Sequence, residues 1–355
     1  MNPGLLDDPA SIARLDPRGM LDSLHGLPDQ CAEAWTAAQE IEPPGSRIEK
    51  VVVLGMGGSA IAGDIWRMLL QRESDVPVFN VRQYDLPPFT DEHTLVIASS
   101  FSGNTEETLS AFEQSLATPA RKLAITSGGR LLTEARANGV PAFTFQFDGE
   151  PRAAIGWSLM PLLALSSRLG WMSGVERDVA ESIEVLSALR DEIAPSRPAD
   201  NNAAKQVAAS LFDRLPVIYA GAPLTEVAHR WKSQLNESAK VWSFYEELPE
   251  MHHNAIVGIG LPTRIASATT AVLLRSPDLV HRRVQLRYDF TRRRLEGAGV
   301  HVLEVDSRGT SALAQMLSLT LFGDYVSAYL AFLYEVDPTP TDVIEELRDW
   351  LATQE

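Results

Sequence analysis

Apolar and polar positions along the chain fall into blocks that repeat one order. VVVLG (51–55) is a β-branched apolar run closed by glycine, with no alternation, and it predicts a central strand buried on both faces. IAGDIWRMLLQRE (61–73) then places its apolar residues at helical spacing. VPVFNVR (76–82), TLVIASSF (94–101), RKLAITSG (121–128) and PAFTFQF (141–147) read as further strands, with helical segments such as 106–116 and 130–138 between most of them. Strands alternating with helices predict an α/β fold built on a doubly wound parallel sheet.

The order then restarts. Residues 151–199 are mostly helical by composition, and LPVIYAG (215–221) is again a buried strand ending in glycine. EVAHRWKSQLNESAKVWSF (226–244) reads as a helix, and AIVGIG (255–260), TAVLLRS (270–276) and HVLEVD (301–306) read as strands. The second half thus repeats the first in element order, without a strict sequence repeat. Ahead of both, 19–41 has helical spacing interrupted at Pro28, which predicts two helical pieces, and EPPGSR (42–47) is a turn-rich connector. Residues 312–333 are apolar on most faces, the pattern of a buried helix. The expected organisation is a helical segment over 1–48, a first α/β domain over 49–150, a helical connection over 151–210, a second α/β domain over 211–310 and helices over 311–355.

Composition narrows what such a chain does. Its 355 residues are 45% hydrophobic and 22% charged, enough to bury real cores, and its formal net charge is −16. An acidic body disfavours nucleic acid and anionic membrane surfaces as partners, while a local cationic pocket still admits a small anionic substrate. The single cysteine, Cys31, excludes a disulfide within the chain and a cysteine-based zinc cluster. MNPGLLDDPA is acidic where a secretory signal needs positive charge, and the uncharged run 153–167 is short of the ~20 residues that span a bilayer. A cytoplasmic protein is expected.

Two junctions between strand and helix carry candidate chemistry. GMGGSA (55–60) offers backbone N–H groups and a helix N-terminus to an anion. A dinucleotide fingerprint would also want an acidic residue about 20 positions on, at a strand end, and Asp75 precedes its strand. A tight packing turn would need the same glycines. SSFSGNTEET (99–108) sets the hydroxyls of Ser100, Ser102 and Thr105 around one turn, with Gly103 and Asn104 suited to the bend. A helix N-cap needs only one hydroxyl, so three at this spacing favour a phosphate cradle.

GMGGSA followed by SSFSGNTEET resembles the sugar isomerase (SIS) domain, which binds phosphosugars. PRAAIG (151–156), RWKSQLNESAK (230–240), PEMHHN (249–254), GDYVSAYLA (323–331) and DPTP (337–340) extend the resemblance to the bifunctional phosphoglucose/phosphomannose isomerase family, over nearly the whole chain from about residue 50. The resemblance implies two tandem SIS domains and an aldose–ketose isomerase that needs no metal and no cofactor. Its substrate would be a hexose 6-phosphate, held by Gly57, Gly58, Ser59, Ser100, Ser102 and Thr105.

By the same resemblance Glu237 matches the catalytic base. Read alone, it is a helical glutamate following Asn236, on a helix that starts after a strand-end glycine, where sites of open α/β sheets gather. Arg152 matches the arginine beside the enediolate. His253, not its neighbour His252, matches the histidine that protonates and deprotonates the ring oxygen, a role for a group titrating near neutrality. In the family that histidine comes from the partner subunit, so a homodimer with shared sites is implied. Thr341 matches a threonine linked to acceptance of both epimers. Arg348 stands where the family has a lysine that helps open the ring. With five lysines against 26 arginines the exchange is in keeping with the composition, but arginine keeps the charge without readily giving up a proton.

Other readings remain open at this point. A non-catalytic phosphosugar sensor would have no need of Glu237, His253 and Arg152 together. An isomerase of a phosphoheptose or aminosugar differs only in pocket shape. A dinucleotide oxidoreductase lacks its acidic ribose partner.

Overall fold

The structure is a computed structural model, and it describes residues 3–45 and 47–354. Ser46, in the connector expected over 42–47, lies outside the described residues. The chain opens with α1 (Pro9–Leu15), α2 (Met20–His25) and α3 (Leu27–Ala38). The next block is β1 (Lys50–Leu54), α4 (Gly57–Leu70), β2 (Val78–Val81), β3 (Thr94–Ser99), α5 (Glu106–Leu116), β4 (Arg121–Thr126), α6 (Gly129–Ala137) and β5 (Ala142–Thr144). Helices α7 (Ile155–Arg168), α8 (Val175–Ile193) and α9 (Ala203–Leu211) lead to β6 (Leu215–Gly221), α10 (Thr225–Glu237) and β7 (Phe244–Leu248). Short helices α11 (Ala255–Gly258) and α12 (Thr263–Ala268) precede β8 (Thr269–Arg275), α13 (Arg282–Gly297) and β9 (His301–Asp306). Helices α14 (Ala312–Leu333) and α15 (Asp342–Leu351) end the chain.

The chain forms two compact units, one of residues 25–188 and 307–318, the other of 1–24, 189–306 and 319–355. The first holds an all-parallel sheet of order β2-β1-β3-β4-β5. Every residue of β3 is buried, as an apolar run without alternation requires. Val52, Leu54, Val96, Ala98 and Ala124 face one side with Leu109 and Phe112 of α5 and Leu131 of α6. Helix α4 covers the opposite face, where Gly63 comes close to Val53. Helix α7 packs on α4, with Trp66 Nε1 donating to Ser166 Oγ at 2.7 Å, and α3 packs on α7. Pro28 falls in the first turn of α3, where its missing N–H costs no hydrogen bond, so it starts a helix as the sequence suggested.

The second unit holds a parallel sheet of order β7-β6-β8-β9. Helix α10 packs on β6 and β7. Trp231 Nε1 donates to the Leu319 carbonyl at 2.8 Å, and Arg230 forms a buried ion pair with Asp324 at 2.7 Å. Helix α14 is long and apolar enough by length and composition to cross a membrane, but that stretch is wholly buried, which fits the expected core helix.

Two expectations fail in this unit. Residues 255–260 are not a strand: Ala255–Gly258 is a short surface helix whose first N–H is capped by the Asn254 side chain, with Val257 86% exposed. The helix expected over 226–244 stops at Glu237, and its last residue, Phe244, begins strand β7. The sequence FYEEL disguised that strand, because an edge position tolerates charge where a central one does not.

Candidate active site

In the first unit the strand order reverses between β1 and β3, the place where open α/β sheets form their crevice. The two glycine- and hydroxyl-rich loops leave from these strand ends. Gly57 takes φ +51, a left-handed backbone suited to glycine, and starts α4 with no side-chain cap on its N-terminus. On the second loop Thr105 is the N-cap of α5 but does not cap it; its Oγ1 shares a 2.9 Å hydrogen bond with Ser100 Oγ. Both helices thus present first-turn N–H groups without a side-chain cap. Ser100 is buried and also accepts from Gly103 N at 3.1 Å, Ser59 is buried, and Ser102 is exposed and accepts from Asn104 N at 3.2 Å. Gly103 takes φ +66, and a Cβ there would stand 1.9 Å from the Gly128 carbonyl, so the hydroxyl loop is pressed onto the β4–α6 turn.

Arg152 belongs to the same unit. It lies in a single 3-10 turn, Pro151–Ala153, and is only 5% exposed. A Cβ on Gly58 would meet Pro151 O at 3.0 Å and Arg152 Cα at 3.3 Å, so the glycine lets the arginine turn touch the start of α4. Glu150 lies 3.5 Å from its guanidinium. The turn is held by Gln30 of α3, whose Nε2 donates to Ala153 O at 2.9 Å and whose Oε1 accepts from Gly156 N at 2.6 Å. Helix α3 therefore completes the first unit. Cys31, the next residue, is fully buried, which pushes its thiol up to about 12.

In the second unit Glu237 is the last residue of α10 and half-buried. Gln234 and Arg230, one and two turns earlier, both bond Asp324 of α14 and fix the helix about its axis. Past Glu237 the chain reverses. Asn236 Nδ2 donates to Val241 O at 2.8 Å and Ser243 Oγ at 3.1 Å. Lys240 Nζ donates to Glu237 O at 2.5 Å and to Pro340 O at 2.6 Å, which brings Glu237 and the segment preceding Thr341 to one ammonium group.

His253 and Arg348 are both exposed. His253 ends the 3-10 turn Glu250–His253. His252 turns the other way: its Nε2 shares a 2.9 Å hydrogen bond with Thr291 Oγ1 on α13, and burial, then the charge of Arg287, lowers its pKa. His252 is thus tied to α13, whereas His253 is exposed. Thr341 stands at the N-cap position of α15 without a side-chain capping bond, and Arg348 lies on that helix, none of whose residues is buried.

The residues that sequence reading missed are Gln30, Lys240 and the glycine pair at 128–129. The last had a visible signal, a double glycine after a strand. Lys240 stood within a motif already singled out. Gln30 carried none.

A parallel-sheet crevice flanked by a serine–threonine cradle and a buried arginine places the protein in the sugar isomerase, or SIS, class. The model of the bacterial phospho-glucose isomerase C-terminal SIS domain matches residues 200–351. The C-terminal domain of glucosamine-fructose-6-phosphate aminotransferase from Francisella tularensis superposes with a TM-score of 0.70 at 15% identity, covering 90% of this chain and 98% of that one. More specifically, the chain is 40% identical over 336 residues to the bifunctional phosphoglucose/phosphomannose isomerase of Caldicellulosiruptor bescii, covering 94% of this chain and 99% of that protein. The enzyme of that name from Aquifex aeolicus is 34% identical, with 85% of this chain and 90% of the relative covered. The chain belongs to the bifunctional phosphoglucose/phosphomannose isomerase family.

Proposed function

We infer that the chain is an aldose–ketose isomerase that interconverts glucose 6-phosphate and mannose 6-phosphate with fructose 6-phosphate through an enediolate. The observation that carries this reading is the Arg152 turn set against the start of α4, a buried cation beside a hydroxyl and amide cradle in an otherwise acidic protein. Ser59, Ser100, Ser102 and Thr105 hold the phosphate. Glu237 takes the C2 proton of the open-chain aldose as the C–H pair moves into the C1–C2 bond and the carbonyl pair moves onto O1; it returns the proton to C1 as the O2 proton passes to O1, which gives the ketose. Arg152 and the Gly57 and Gly58 amides stabilise the charge that develops on oxygen, an effect larger in the transition state than in the ground state. Thr341 leaves room for either epimer at C2. Arg348 supplies positive charge at the ring oxygen, and the proton exchange of ring opening falls to His253.

The reaction as written uses carboxylate, imidazole and guanidinium, so no metal is needed. His253 serves the site of a second copy of the chain. Its exposed position, with Val257, Leu261, Ile265 and Phe290 also exposed in this unit, supports such a homodimer. The cytoplasm is the matching location, since phosphorylated sugars do not cross a bilayer unaided.

A coupled assay on each hexose 6-phosphate in the presence of a chelator tests the reading. Glu237→Gln should keep sugar-phosphate binding and lose ~10² to 10⁴ in rate. A parental rate in that variant would remove Glu237 from the base role, and activity lost to chelator and restored by zinc would overturn the metal-free mechanism.

A further inference from the structure

We propose that Lys240 is a positioning residue for isomerisation, its ammonium group stapling the end of the Glu237 helix to the proline-rich segment that delivers Thr341. The proposal rests on the reading of Glu237 as the base and Thr341 as the epimer contact. The last carbonyls of a helix look outside the helix for donors, and Lys240 Nζ donates to that of Glu237 at 2.5 Å. Lys240 reaches it because its own backbone takes φ +58, a region that glycine visits freely and lysine does not. The same Nζ donates to Pro340 O at 2.6 Å and lies 3.3 Å from Pro338 O. Its three donors thus converge on three carbonyls.

Neither proline has an N–H through which the segment could be tied down, so a donor must come to their carbonyls from outside. Thr339 N bonds Asp337 Oδ1 at 2.8 Å, which shapes the turn internally. Lys240 links this turn to α10. Arginine outnumbers lysine 26 to five in this chain, yet lysine stands here. A planar guanidinium spreads its donors in a fixed fork and cannot gather three carbonyls around one nitrogen as an ammonium does. Arg230, Gln234 and Asp324 hold α10 farther up, so loss of Lys240 should loosen the last turn without releasing the helix.

The test is steady-state kinetics of full-length Lys240→Met and Lys240→Arg on both hexose 6-phosphates, with melting temperatures measured alongside. Misplacement of a catalytic group by about 1 Å costs on the order of 100-fold, so Lys240→Met should lower kcat by roughly 10- to 100-fold. KM, set by the phosphate cradle, should stay near the parent's, and the ratio of kcat/KM for the mannose and glucose substrates should shift. Lys240→Arg should restore only part of kcat. A purely structural lysine would lower the melting temperature and leave kcat and the epimer ratio of the folded protein alone, and that outcome overturns the proposal. If Lys240→Met does not fold, parental kinetics in Lys240→Arg overturn it equally. Glu237→Gln measured in parallel separates the two failures: full activity there refutes the base, whereas an inactive Glu237→Gln beside parental Lys240 variants refutes only the staple.

Discussion

The two parallel sheets have the same switch in strand order but opposite use of the crevice it creates. In the first unit the ends of β1 and β3 open onto Gly57, Ser100 and Thr105, with no side-chain cap on either following helix. In the second unit the corresponding ends of β6 and β8 are plugged. Tyr288 of α13 is buried, its hydroxyl accepting from Gly221 N at 2.7 Å and donating to Leu274 O at 2.7 Å. A cavity of about 260 Å³ remains beside it, lined by Arg275, Ser276 and Gln285 among others, but Arg275 is already engaged by Glu304 at 2.8 Å and Asp306 at 2.9 Å. A repeated fold therefore did not mean a repeated site. One crevice is lined by hydroxyls and glycine amides, and the other is filled by a phenol.

The strongest way to break this contrast is at Gly103. Gly103→Ala puts a methyl 1.9 Å from Gly128 O in a left-handed backbone, and the stability should fall by roughly 3 kcal/mol or more in urea unfolding. Gly299→Ala, at φ +81 in open space, should cost only about 1 kcal/mol. Equal losses would mean that the hydroxyl loop is free to move.

A crossed pair sharpens it. Ser100→Ala should raise KM for both substrates by roughly 10-fold, the scale of one lost charge-assisted hydrogen bond, with little change in stability. Tyr288→Phe should leave KM alone and cost about 1–3 kcal/mol, because a buried N–H and a buried carbonyl lose their partner. A KM effect from Tyr288→Phe would show that the second crevice also takes ligand.

The smallest effect concerns acid. In the first unit Glu181 accepts from Thr310 N at 2.5 Å and Ser311 N at 3.0 Å, and although partial burial opposes it, these bonds hold its carboxyl down at about 2 against an ordinary 4.5. A depressed folded pKa stabilises above the unfolded value and loses that contribution as pH falls from about 4.5 toward 2. Glu181→Gln should flatten that part of the stability profile, read by melting temperature against pH. An unchanged acid limb would assign the loss to other carboxylates.

How much of this the sequence revealed follows from what each residue answers to. Strands β1, β3, β4, β6 and β8 were legible because burial on both faces leaves a run of apolar residues and nothing else. β7 was not, because an edge strand with two glutamates obeys neither pattern, and 255–260 misled because its apolar residues lie at the surface. The hydroxyl loop was legible as the hydroxyls of Ser100, Ser102 and Thr105 and a glycine concentrated in ten residues. Gln30 was not, since its partner at Ala153 is 123 residues away and a buried glutamine has no local signature. The family resemblance placed Arg152 and Glu237 by number, but what holds each of them in place is visible only in three dimensions.

Cys31 turns this last point into an instrument. It is the only thiol in the protein, it is sealed beside Gln30, and a thiol with so high a pKa does not react while covered. The rate at which a thiol reagent labels the native protein therefore counts openings of the helical layer that clamps the arginine turn. Substrate that engages Arg152 should slow that labelling, so the chain carries its own clock for the loosening of one half of its machinery.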